Sequence, residues 1–334
     1  MNINDWKSEI IRNPKRVAIP IMTNPGIEIL NYKIIDAVKN GKIHYEAIKA
    51  LSDLYPSAAS CVIMDLTVEA EAFGADIHFE ENEVPSVIGR LVCDMETVEK
   101  LQVPNMSKGR LSEYLLANRL VAENLNDRPA FAGCIGPFSL AGRLYDMTEI
   151  MMECYVEPEI IRILLQKCTD FLISYCLELK KTGVQGVVMA EPAAGLMSND
   201  GCSEFSSVFV KQIVERVQDD QFMVILHNCG NTGHCTEAMV ETGALGLHFG
   251  NKIDMVNAIK NTPGDILVMG NLDPVSCFKQ ASPREVELAT ADLLEKTRIY
   301  PNFVLSSGCD VPPGTPRENI DAFYAALNTY NETC

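Results

Sequence analysis

Short, nearly unbroken apolar runs recur along this chain, and stretches with helical spacing of apolar positions separate them. The runs fall at 16–24, 61–65, 131–136, 186–191, 222–229, 245–249, 266–271 and 303–307. They do not alternate apolar with polar, as a strand with one wet face would, so both faces of each strand are expected to be covered. Helical patterns follow at 25–39 and 43–54, at 67–73 and 94–126, over most of 137–183, and at 203–218, 236–242, 254–260, 283–300 and from Pro316 onward. Eight buried-type strands, each leading into helix, predict an α/β fold, the (β/α)8 TIM barrel. Two additions decorate it: an amphipathic helix over 1–15 that stops near Pro14, and a hairpin insertion over 75–93, after the second strand. No linker or low-complexity stretch divides residues 1–334, so one barrel domain is expected.

A barrel of this kind carries its chemistry at the carboxyl ends of the strands. The residues there are polar: Thr23 and Asn24 after strand one, Asp65 after two, Glu191 after four, His227 and Cys229 at five, Asn271 and Asp273 after seven, Cys309 and Asp310 after eight. In an extended strand, residues i and i+2 share a face, so His227 and Cys229 project side by side. Both suit a borderline metal such as zinc, and Cys309 closes another strand 309 − 229 = 80 residues later. That separation excludes a compact finger or ribbon and suits two strands meeting at one rim. Three protein ligands with an open fourth position is the pattern of a catalytic zinc.

Other residues compete for these roles. His234 and Cys235 lie in the turn after the glycine loop and are rival ligands; His248 reads as a strand residue near the rim, and His44 and His78 as peripheral. Asp65 and Asp273 read equally as helix caps or loop braces. Glu191 fits a fourth zinc ligand, a base or a structural carboxylate, and is taken as the catalytic candidate. Asn24, Asp65, Asn271 and Asp310 are taken as candidates for binding substrate.

Composition narrows the partners. The chain is 47% hydrophobic and 22% charged, with a formal net charge of −17. That charge argues against nucleic acid and anionic membrane surfaces, and against a strongly anionic substrate without a local basic pocket. Twelve cysteines are scattered singly, and Met1-Asn-Ile-Asn-Asp-Trp-Lys7 is a polar opening without a secretory core. A reduced, cytoplasmic setting is expected, with most thiols buried as small hydrophobes. No run of about 18 apolar residues predicts a membrane span.

Several segments carry a family resemblance: Met22-Thr-Asn-Pro-Gly-Ile27, Met64-Asp-Leu-Thr-Val-Glu-Ala-Glu-Ala-Phe-Gly-Ala75, Gly133-Cys-Ile-Gly-Pro-Phe-Ser-Leu-Ala-Gly-Arg143, Ala190-Glu-Pro-Ala-Ala194, Leu226-His-Asn-Cys-Gly-Asn231, Met269-Gly-Asn-Leu-Asp-Pro274 and Gly308-Cys-Asp-Val-Pro-Pro-Gly-Thr-Pro316. With them the chain resembles the uroporphyrinogen decarboxylase superfamily, and within it the methylcobamide:coenzyme M methyltransferase branch. The branch's H-x-C…C zinc motif matches at His227, Cys229 and Cys309; Glu191 stands where that branch carries Asp. The resemblance implies methyl transfer from a methyl-Co(III) corrinoid to a thiol such as coenzyme M, activated as a zinc-bound thiolate. The decarboxylases' arginine-rich segment near the first strand has no counterpart in Ile19-Pro-Ile-Met-Thr-Asn-Pro-Gly-Ile27, which contains no arginine. A carrier segment of the D-x-H-x-x-G type is also lacking, since Asp76-Ile-His-Phe-Glu-Glu81 has no glycine. A separate corrinoid-binding protein is therefore the expected partner. Three alternatives stand: a decarboxylase-type lyase acting on a tetrapyrrole, a non-catalytic barrel that binds a corrinoid or its carrier, and a zinc hydrolase using Glu191 as base. The acceptor, the upstream methyl donor and homodimer formation are left open.

Overall fold

The structure is a computed structural model that describes residues 1–61 and 65–333. Its main sheet has seven parallel strands: β1 (Ser60–Cys61), β4 (Ala130–Ile135), β5 (Gly186–Ala190), β6 (Met223–Asn228), β7 (Gly246–Phe249), β8 (Leu267–Leu272) and β9 (Phe303–Ser307), paired in that order. Two more strands, β2 (Asp76–His78) and β3 (Ser86–Ile88), form a separate antiparallel hairpin, as the sequence predicts for 75–93. Every residue of β4 to β7 and of β9 is buried, which is why these strands read as continuous apolar runs.

The first expected strand takes a reduced form. Its chain makes one parallel bridge, Ala18 to Leu305, flanked by Ile19 N–H to the Leu305 carbonyl (2.9 Å) and Leu305 N–H to the Val17 carbonyl (3.1 Å). On the other side Ala58 N–H reaches the Ala18 carbonyl at 2.9 Å, so this segment spans the gap between β9 and the chain entering β1. Pro20 has no N–H to extend pairing on the Ala58 side, and on the β9 side hydroxyls take over, with Ile21 N–H donating to Ser307 Oγ (3.1 Å) and Ser306 Oγ donating to the Ile19 carbonyl (2.7 Å). The result is a TIM-barrel-like fold with seven regular strands and an eighth position filled by a bridge. Of the expected strand 61–65, residues 62–64 lie outside the described residues.

An apolar cluster fills the barrel, with Ile19, Phe131, Val188, Ile225, Leu267 and Val304 among its members. The N-terminal helix Ile3–Arg12, capped by Asn2, adds Ile3 and Ile10 to this cluster, and its Trp6 ring meets Phe131 edge-on at 5.6 Å. It plugs one end, and the polar strand ends occupy the other.

The outer helices are more broken than their apolar periodicity predicts. The stretch 25–39 is two helices, Asn24–Ile29 and Ile34–Lys39, interrupted where Asn31 takes φ 58°. Asn tolerates that left-handed conformation because its short side chain bonds locally. The stretch 94–126 is Met95–Lys100 and Leu111–Asn124, with Pro104 and Gly109 between. The stretch 137–183 is three helices, Pro137–Tyr145, Met147–Val156 and Pro158–Lys181. Asp146 makes the first of those breaks, at φ 111°, and its carboxylate accepts from Thr148 and Glu149 N–H. Among the described residues no helix is long and apolar enough to cross a membrane.

Candidate metal centre

His227 is the fifth residue of β6 and is buried; Cys229 follows directly beyond the strand end. The turn is fixed by Asn228, whose side-chain oxygen accepts from Gly230 and Asn231 N–H, each at 3.0 Å. Cys309 stands two residues past β9. One ligand atom from each of His227, Cys229 and Cys309 lies within 4.8 Å of the other two, the only such group of three among the described residues. The two strand ends therefore converge as the sequence spacing predicts.

The spacing fits an ion. His227 Nε2 and Cys309 Sγ are 3.6 Å apart. Tetrahedral zinc, with Zn–N near 2.0–2.1 Å and Zn–S near 2.3 Å, requires an N···S separation of about 3.6 Å. Close backbone approach holds the three side chains there. A Cβ on Gly250 would sit 2.7 Å from both the Cα and the carbonyl oxygen of Cys229, and one on Gly308 would sit 2.7 Å from the Asn251 nitrogen. The loops after β6, β7 and β9 are thus stacked through residues lacking side chains.

The electrostatics are those of ionisable side chains held close together. A hydrogen bond with Cys309 pulls the Cys229 thiol down to about 7, and the same contact pushes Cys309 up to about 12. One thiol of the pair gives up its proton more easily than a free cysteine, and the other holds its proton more firmly. Beside it, His227 Nδ1 lies 2.8 Å from Nδ1 of His248, whose Nε2 lies 2.9 Å from Ser306 Oγ. Burial drives His248 well below the usual histidine range, and nearby His227 adds to the effect.

The model of the family described as "Uroporphyrinogen decarboxylase (URO-D)" matches residues 14–330. The chain belongs to the URO-D family. Within it, the chain is similar to "Methylcobamide:CoM methyltransferase MtbA" of Methanosarcina acetivorans, 29% identical over 80% of this chain and 79% of that protein. It is also similar to "Uroporphyrinogen decarboxylase" of Erwinia tasmaniensis, 26% identical over 96% and 94%. Among solved structures, a "methyltransferase from Methanosarcina mazei" shares the fold with TM-score 0.89 at 22% identity, covering 99% of both chains.

Elsewhere in this URO-D barrel the predicted site residues have varied surroundings. Asn24 donates to the Val311 carbonyl (3.1 Å) and to Asp310 (3.4 Å). Asp310, next to Cys309, is half-buried as a residue; desolvation of its carboxyl raises it well above the usual range, with Cys309 adding to the shift against the pull of the Thr23 and Val311 N–H groups. Its Oδ1 has no partner, and neither has the hydroxyl of buried Thr23. Asp65 lies apart from the metal cluster, engaged by Arg110 (2.6 Å), Tyr114 (2.9 Å) and Thr67. Asn271 donates to the carbonyls of Gly250 (2.9 Å) and Ile253 (2.8 Å), and Asp273 caps the helical turn Pro274–Lys279.

Glu191 accepts from Phe138 N–H (2.7 Å), Ser139 N–H (2.8 Å) and Ser206 Oγ (3.1 Å), which seats it on the N-terminus of helix Pro137–Tyr145, outside the three-ligand group. The rival ligands turn away: His234 Nε2 reaches the Met197 carbonyl at 2.7 Å, and Cys235 Sγ the same atom at 3.4 Å. His44, expected at the periphery, is fully buried edge-on against Tyr114, because its helix Gly41–Leu54 packs on Leu111–Asn124. The sequence places His248 near the rim without a role in the site and gives no sign of Ser306 beside it. For His248 a signal existed, since the parallel register of β6 and β7 sets it opposite His227.

Proposed function

We propose that this protein is a zinc-dependent methyltransferase, moving a methyl group from a methylcorrinoid on a separate corrinoid protein to a thiol such as coenzyme M. The carrying observation is the N,S,S cluster of His227, Cys229 and Cys309 at tetrahedral spacing, at the mouth of the barrel. The similarity to a methylcobamide:CoM methyltransferase supports the same reaction class. Bound zinc would supply a Lewis acid that keeps an incoming thiol deprotonated at neutral pH, where a free thiol, pKa about 8.5, is mostly protonated.

The chain's own residues do the rest. Two thiolates and a neutral imidazole would balance a divalent ion held there, so an acceptor sulfur would not be drained by excess positive charge. The acceptor sulfur's electron pair would form the S–CH3 bond as the Co–CH3 bond of the corrinoid co-substrate breaks, the two electrons of that bond leaving with the corrinoid. The thiol proton leaves to solvent. We assign Asn24 and Asp310, beside Cys309, to binding the acceptor, since Asp310 Oδ1 and Thr23 Oγ1 are buried and free to take a hydrogen bond. Asp65, Glu191 and Asn271 we assign to bracing the walls of that site, because their polar atoms are engaged by Arg110, by a helix N-terminus and by loop carbonyls.

A second reading, a tetrapyrrole decarboxylase-type lyase, draws on the near full-length similarity to a uroporphyrinogen decarboxylase. One experiment separates the two: metal analysis paired with methylcobalamin demethylation, using coenzyme M, homocysteine and tetrahydrofolate in turn as acceptors, with and without chelator. The expected result is about one zinc per chain and thiol-dependent demethylation that chelator abolishes, with zinc lost in Cys229→Ala and Cys309→Ala. Decarboxylation of a porphyrinogen unaffected by chelator would favour the lyase and overturn the proposal.

A further inference from the structure

We infer that His248 and Ser306 are positioning residues that fix His227 in its Nδ1–H tautomer, leaving its Nε2 lone pair facing the two cysteines. The inference rests on the metal reading of that cluster and deepens it.

The hydrogen bonds run in one direction only. The Ile19 carbonyl can only accept, and Ser306 Oγ lies 2.7 Å from it, so the single hydroxyl proton is committed there. Ser306 Oγ then has only lone pairs to offer His248 Nε2 at 2.9 Å, and that nitrogen must carry a hydrogen. His248 is fully buried, and among the described residues no carboxylate bonds to it, so a second ring proton would be an unpaired buried charge. The ring is neutral and its Nδ1 is a bare acceptor. His227 Nδ1, 2.8 Å away, must therefore be the donor. What remains on His227 is an unprotonated Nε2, the atom 3.6 Å from Cys309 Sγ.

The scaffold that aims these groups is rigid. The register of β6 and β7 sets the two histidines at the same level, with ring centroids 4.6 Å apart and planes at 74°. Ser306 belongs to β9, the strand that leads to Cys309, and Ile19 to the bridge segment paired with it. Four separate pieces of the barrel thus set one lone pair. A histidine ligand oriented through its second nitrogen keeps its ring from rotating or switching tautomer, and loss of such a partner costs roughly 10–100-fold in metal affinity.

Two measurements on the full chain test this. Long-range 15N–1H NMR of the histidine rings in metal-free protein reports which nitrogen carries each proton. The expected pattern is Nδ1–H at His227 and Nε2–H at His248, and the reverse at either ring overturns the inference. Zinc affinity is then read by competition against a chromophoric chelator. His248→Phe should bind zinc roughly 10–100-fold more weakly, and His248→Gln, which keeps an acceptor, should recover part of the loss. A folded His248→Phe within threefold of the parent, or a His248→Gln no better than it, sinks the relay. Should His248→Phe fail to fold, Ser306→Ala, which deletes one oxygen, is judged by the same criterion. A parent protein that binds no zinc while showing the expected ring protons would overturn the metal reading instead.

Discussion

Glu69 accepts the Ile135 N–H at 3.0 Å through Oε1, while its buried Oε2 has no partner. Burial pushes its carboxyl up to about 7, against the opposing pull of that N–H. A folded-state pKa raised above the unfolded value means that the native state holds the proton more tightly. The stability this contributes is fully present below about 4.5 and is lost as pH rises through about 7. Urea unfolding at pH 5 and pH 8 should therefore show a drop that Glu69→Gln lessens; equal drops in parent and variant would remove Glu69 from the account. At this scale the sequence was informative where chemistry and spacing coincide: the i, i+2 spacing of an extended run sets His227 and Cys229 on one side, and they do meet although Cys229 lies one residue past β6. It was silent where a polar atom's fate depends on a distant segment. Whether Asp65 met substrate or Arg110 depended on packing between parts of the chain 45 residues apart, which no local pattern encodes.

Between elements, the ligand geometry depends on loops touching through glycine. Gly250 lies so close to Cys229 that a methyl group there would overlap its backbone at 2.7 Å, a contact that must be relieved by moving one loop. Gly250→Ala should leave the barrel folded and weaken zinc binding at least about tenfold, because a metal site tolerates displacements of only about 0.5 Å. Chelator competition with a circular dichroism control checks this; unchanged affinity would show that the loop yields without disturbing Cys229. The strands were legible because both of their faces are covered. The helices were legible in kind and not in their breaks: Asn31 and Asp146 turn the chain at positive φ in stretches whose apolar spacing continues across them.

For the whole molecule, the seam lies where the eighth strand is reduced to a bridge. The Val17–Ile21 stretch is held by a few main-chain bonds to Leu305 and Ala58, whereas β4 to β6 form continuous ladders. Hydrogen exchange should find the amides of Ile19 and Ala58 opening at lower free energy than those of Val188 and Ile225; equal protection would mean that the bridge closes the barrel as firmly as a full strand. The eight-unit rhythm was readable from the sequence, but the shortening of the first strand was not, since it follows from Pro20 on the Ala58 side and from the Ser306 and Ser307 hydroxyls of β9 on the other.

The separation of the ligands has a mechanical side. An ion shared by Cys229 and Cys309 fastens chain positions 309 − 229 = 80 residues apart, with β7 and β8 enclosed between them. It would act as a clasp on the C-terminal half of the barrel, stiffening the rim on which the proposed corrinoid-protein partner would dock, and tying occupancy of the site to the shape of that surface.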